Sequence, residues 1–347
     1  MIRSRRSLLV AFFLCAFPQA SLAHVKWFFP YDLSKPPLPI GDVITEQFTY
    51  MFLLSTASIY VFYLVDRYLY RKAFAAETLG RLVIEERTAF WIMRIAAALL
   101  FLSLFIYGFT GNSFYLTPEL ITESSSVKWL QLGMALAVLY RPTVPFAGAA
   151  IFFLYALGVR QYGVFHMLDY PIFLGIGFYF AFSFISRPDW VKARYVTLYA
   201  TTGLTLLWAS IEKWGYPDWT YPLLGKDPWL LMGMSPEFFM LLSGFVEFNI
   251  AFILLSAASI FSRFIAFGLN AIFILAIFKF GLIDAIGHLM IIAILAIMTA
   301  RGPTSARYFL VLSEKSLWTE AYFMTGLYML ALNVVFVAYY GLYFLLH

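Results

Sequence analysis

From residue 46 onward the chain is a run of apolar stretches separated by short polar turns. Ten segments fit this pattern, near 46–66, 90–111, 127–140, 143–159, 165–185, 195–212, 237–257, 261–279, 283–300 and 319–345. Several are shorter than the ~20 residues of a full helical span, so their ends are approximate. With 62% hydrophobic and 12% charged residues in 347, such stretches point to an all-α, polytopic membrane protein of about ten transmembrane helices, its first partner the lipid bilayer. The formal net charge of +5 does not mark a nucleic-acid partner; in a membrane protein the placement of Lys and Arg carries the information.

The start of the chain reads as a secretory signal, 1–23. Arg3, Arg5 and Arg6 precede a short apolar core at 7–17, and Ser21-Leu22-Ala23 offers a small-x-small cleavage site. Cleavage there makes His24 the first residue and removes Cys15, the one cysteine. That excludes disulfides, dithiol redox chemistry and thiolate metal sites. The polar stretch 24–45, with Pro30, Pro36, Pro37 and Pro39, reads as an exported extended segment. The Lys and Arg residues then orient the rest. Arg67, Arg71, Lys72, Arg87, Arg94, Arg141 and Arg194 are among those at one set of turns, and they outnumber the basic residues at the other set. Basic residues are retained in cytoplasmic loops, which predicts a bacterial inner-membrane protein with both termini in the periplasm.

An internal repeat divides the helices. After a first helix and cytoplasmic linker (46–89), a four-helix unit at 90–188 is followed by a second at 189–301, and a last helix lies in 302–347. Each unit opens with an Arg, turns at another Arg, and ends on an aromatic-Gly helix carrying a His and an Asp: YGVFHMLDYPIFLGIG at 162–177 and FKFGLIDAIGHLMIIAIL at 278–295. Four helices per unit preserve orientation, so the repeats are parallel.

Ionisable groups at membrane depth are costly and are read first as functional. Asp284 and His288 are four residues apart and share a helix face. At ~1.5 Å per residue from the basic helix ends, Glu212, Glu247, Asp284 and His288 fall in one layer of the outer leaflet, with Lys213 beside them. His166 and Asp169 in the first unit are weaker candidates near the outer surface. The set suits four uses. It can hold a transition metal through His288, Glu247 and Asp284. It can give a quinone its proton partners. It can carry protons or ions along a path. It can also clamp helices, with Lys213 or Lys279 paired to a carboxylate. His24 as a free N-terminal residue could chelate copper through its amine and imidazole. The aromatic loop 214–229 reads as an interfacial belt.

The segment 194–298 resembles the DoxX-like family of four-helix membrane proteins. The residues that carry the resemblance are Glu212-Lys213-Trp214 with Pro217, then Gly244-Phe245-Val246-Glu247, then Arg263; the unit at 94–186 is similar to a degenerate second copy. The resemblance implies an inner-membrane, redox-associated role, in company with a respiratory or other redox complex. The leading expectation is therefore a periplasm-facing His/carboxylate site that binds a quinone or metal. A transporter of a small solute or ion between the two units, or an assembly subunit of a membrane complex, are the alternatives.

Overall fold

The computed structural model describes residues 25–29, 31–72, 83–304, 310–312 and 315–346. The expected signal 1–23, His24 and its copper chelate, and the C-terminal His347 lie outside the described residues.

Among the described residues the protein is all-α apart from one small hairpin. The longer helices among these residues are α1 (Glu46–Tyr70), α2 (Glu86–Tyr107), α3 (Ser126–Ala137), α4 (Val144–Met167), α5 (Pro171–Ala181), α6 (Pro188–Gly215), α7 (Pro236–Ser256), α8 (Phe261–Phe280), α9 (Leu282–Arg301) and α10 (Leu317–Leu346), with short helical turns at Ile40–Val43 and Tyr221–Lys226. Among the described residues, seven helices are long and apolar enough to cross a membrane: α1, α2, α4 together with the turn before it, and α7 to α10. Helices α3 and α5 are short, with 12 and 11 residues. Helix α6 is long, 28 residues, but carries Arg194, Glu212 and Lys213 on a chain rich in Thr.

Local signals set the helix ends. Thr45 and Ser235 accept hydrogen bonds from Phe48 N and Phe238 N, each at 3.2 Å, and so cap α1 and α7. Proline stands in the first turn of α4, α5, α6 and α7, where its missing N–H costs nothing. Gly281, at φ 81°, is the single residue between α8 and α9; this left-handed conformation lets the chain reverse at once. Sequence splits the fourth and fifth segments near 159–165. The structure has a kink in that interval: Gly163, at φ 83°, leaves helical geometry within Val144–Met167. A turn of helix follows the kink and carries His166, and the next helix begins at Pro171.

The packing closes a ring. Helix α2 lies on α3, α4 on α5, α5 on α6, α6 on α7, α8 on α9, and α9 returns to α2, while α1 and α10 pair with each other alongside it. Met93, Leu104, Ile151, Phe248, Ile294 and Met324 fill the interior. Large apolar residues such as Leu53, Phe153, Phe267, Leu275 and Val337 face outward, a distribution that suits hydrocarbon rather than water.

Buried arginines tie the helix ends at one end of the bundle. Asp66 and Arg67 are both fully buried and paired at 2.7 Å. The Asp66 carboxylate also accepts from Ala258 N at 3.2 Å and Ser259 N at 3.0 Å, which holds the turn between α7 and α8. Arg263 donates to the carbonyls of Thr299, Ala300 and Arg301, capping α9. Replacing Asp66 by Ala leaves the Arg67 charge buried without its partner, and such a break costs about 3–5 kcal/mol. Thermal unfolding in detergent should register that loss for Asp66→Ala and a smaller one for Asp66→Asn, which keeps an acceptor.

Candidate functional site

At the opposite end of the bundle the chain before α1 turns inward. The 3-10 turn Val25–Trp27 inserts Lys26 among the helices, where it is 8% exposed. Its ammonium lies 2.5 Å from Asp169 Oδ2, 2.6 Å from Glu212 Oε2 and 4.0 Å from Glu119 Oε1. Trp219 and Tyr31 close over it, with ring centroids at 4.7 and 5.5 Å.

Each carboxylate arrives from a different element. Glu212 stands in the last turn of α6 and Asp169 in the turn between α4 and α5. Glu119 comes from the loop of a hairpin whose strands, β1 (Ser113–Phe114) and β2 (Ile121–Thr122), pair antiparallel. Gln131 of α3 holds that hairpin by donating to the carbonyls of Phe114 and Tyr115. Glu119 is in turn gripped by three groups: Tyr31 at 2.5 Å, His166 Nε2 at 2.9 Å and the Tyr170 hydroxyl.

Next to this cluster lie two further pairs. Lys213 meets Glu247 at 2.6 Å, and His288 Nδ1 meets Asp284 Oδ1 at 3.2 Å. The His288 ring sits between Trp27 and Phe273, with centroids 4.8 and 4.5 Å away. Gly287 makes room for this: a Cβ there would lie 2.0 Å from the Trp27 ring. Lys26, Glu212, Lys213, Glu247 and His288 all line one cavity of about 50 Å³.

The expected residues are thus divided among three contacts around one cavity, and Asp284 stands behind His288 rather than on the wall. The metal set His288, Glu247 and Asp284 does not assemble: Glu247 is held by an ammonium and Asp284 by His288. Among the described residues no group of three His, Cys, Asp or Glu is placed to hold a metal ion. Nor does the cavity suit a quinone head group. It has room for roughly three or four waters, well below the ~300–1,000 Å³ of a small-molecule site. His166 and Asp169, the weaker sequence candidates, belong to the most densely bonded part. Lys26, Tyr31, Glu119 and Tyr170 were not singled out by sequence. The aromatic loop also departs from a simple belt: Trp229 is exposed and Trp214 is buried, while Trp219 packs on Lys26.

Charge decides what the cluster can do. Three carboxylates face one ammonium and one imidazole, so one acid is in excess even when His166 carries a proton. Burial opposes the charge on Lys26, but Asp169, Glu212 and Glu119 outweigh it and hold its pKa above the usual value. Burial likewise works against ionised Glu119, yet Lys26, His166 and its hydrogen bonds pull it down to about 2. Burial, with Glu119, drives the Tyr31 phenol far above its normal range, so it remains a donor. Asp169 lies beyond the last residue of α4 and before the first of α5. Burial and then the Glu212 charge raise it to about 7 against the pull of Lys26, and its Oδ1 has no hydrogen-bond partner among the described residues. Asp169 is therefore where the odd proton rests near neutral pH.

No protein-family model, curated protein or solved structure matches the chain.

These shifts set opposite limbs of stability against pH. Glu119 is depressed, so its contribution is present above its ordinary pKa of 4.5 and disappears as pH falls toward about 2. Asp169 is raised, so its contribution is present below 3.8 and is lost as pH rises through about 7. Melting temperature followed across this range should fall between these two values of Asp169, and Asp169→Asn, which cannot ionise, should flatten that decline.

Proposed function

We propose that this chain is an inner-membrane protein of ten spans, with both termini in the periplasm, that binds and passes protons at its periplasmic end. The observation that carries the reading is the surplus acid of the Lys26 cluster, with Asp169 Oδ1 unpartnered among the described residues, beside a cavity with room for a few waters that reaches Glu247 and His288. Such a row of titratable groups around space for water is suited to short proton transfers. It gives a redox partner its proton donor or acceptor without holding the redox group itself. The DoxX-like resemblance of 194–298 supports association with a respiratory or other redox complex.

A transport reading is favoured by a different observation. Glu119, His166 and Asp169 come from the first four-helix unit, and Glu212, Glu247 and His288 from the second. The packing order of the two units is also the same, each joining the next at its end helix. A site at the junction of parallel repeats is where transporters bind their ions.

Infrared titration of the purified protein tests the main reading. It should show a carboxylic-acid carbonyl band that fades as pH rises through about 7 and is missing from Asp169→Asn. The absence of that band, or its persistence in the variant, contradicts the reading. Vesicles containing the protein and a trapped pH indicator separate the alternatives: a transporter moves protons in response to a membrane potential, a one-sided relay does not.

A further inference from the structure

The end of the bundle away from the Lys26 cluster holds a second, larger cavity, of about 580 Å³. Its described lining carries four arginines, Arg87, Arg94, Arg141 and Arg194, with Ser183 and Ser186 beside them, against one carboxylate, Glu86. Lysine and arginine at a helix end often point into water, but two of these do not. Arg94 and Arg194 are 4% and 3% exposed. Arg94 donates to the carbonyls of Val138 and Leu139, which fixes it at the wall. Arg194 reaches Glu86 at 3.0 Å, while its buried Nε has no partner among the described residues. A buried guanidinium with an unused donor, in a cavity of net positive lining, calls for an anion.

The surroundings say how that anion is carried. Trp91 and Leu139 line the same cavity and are exposed. On α2 the exposed apolar face continues from Trp91 through Ile95, Leu99, Leu102 and Ile106, at helical spacing that makes one stripe along the membrane direction. A polar pocket that opens onto such a stripe fits a headgroup with its acyl chains attached. A neighbouring cavity of about 430 Å³ shares Glu86, Ser186 and Val191 with the first and adds Lys192 and Arg301, which supplies a second basic compartment.

We propose that these adjoining cavities bind the phosphate headgroup of an anionic phospholipid, with its chains on the α2 stripe. Planar guanidinium groups suit phosphate oxygens, and basic pockets between membrane helices are a known setting for such headgroups. The two compartments favour a lipid with two phosphates over one with a single phosphate. The site is separate from the proton-handling cluster and does not depend on it.

The test uses the delipidated full chain in a neutral detergent, titrated with diphosphatidylglycerol, phosphatidylglycerol, phosphatidylcholine and inorganic phosphate, with thermal unfolding and native mass spectrometry as readouts. Diphosphatidylglycerol should bind most tightly and raise the melting temperature, phosphatidylglycerol less, and phosphatidylcholine least. Arg87 and Arg141 are exposed at the cavity rim, so R87A/R141A should keep the lipid-free melting temperature and weaken binding of the two-phosphate lipid roughly thirtyfold. Equal stabilisation by phosphatidylcholine, or undiminished binding in R87A/R141A, overturns the proposal. Inorganic phosphate matching the lipid would assign the pocket to a soluble anion and overturn its lipid source.

Discussion

Three carboxylates cannot stay ionised close together inside a protein unless a cation lies among them. Here that cation is Lys26, delivered by a short turn that precedes α1. The other features of this end follow from it. Glu119 can remain ionised without water and so gather Tyr31, Tyr170 and His166 around itself. Trp27, the next residue, can reach His288 because Gly287 leaves its space empty. The hairpin, the α4–α5 turn and the end of α6 are drawn to one point because each carries one carboxylate.

The two ends of the bundle solve the problem of buried charge differently. At the basic end, guanidinium groups mostly spend their donors on helix carbonyls and on single carboxylates. These are structural ties, although the arginine-lined cavity at that end is left with positive charge in excess. At the Lys26 end acceptors exceed donors, and the surplus has to be met by a proton. That imbalance separates a site able to change its charge state from a set of clamps. The Lys213–Glu247 pair shows that both can stand side by side, since one ammonium there meets one carboxylate.

Much of the helical layout was legible because apolar runs and their polar turns are a local property of the chain. A helix lies over each of the ten expected segments, although length and hydropathy qualify only seven as spans. The break expected near 159–165 falls at Gly163, which leaves the helical region, and a short turn follows it before the next helix starts at Pro171. In the site, Asp284 and His288 were visible together because their spacing puts them on one face. Lys26 was not, since no periodicity says that a Pro-rich leading segment turns into the bundle. Glu119 was hidden in the same way in a loop. His166 and Asp169 were underrated because depth counted along a helix placed them near the surface, and it cannot reveal that Tyr31 and the hairpin close over them.

The central claim is that the Lys26 ammonium and the carboxylates it touches act as one coupled unit. A double-mutant cycle between Lys26→Met and Asp169→Asn measures that coupling directly, with unfolding free energy in detergent as the readout. Removing the lysine alone leaves the acids uncompensated, whereas removing both partners relieves much of that cost. The account predicts a coupling energy of about 2 kcal/mol or more, near the upper range for contacting residues. Additive effects, within about 0.5 kcal/mol, would contradict it.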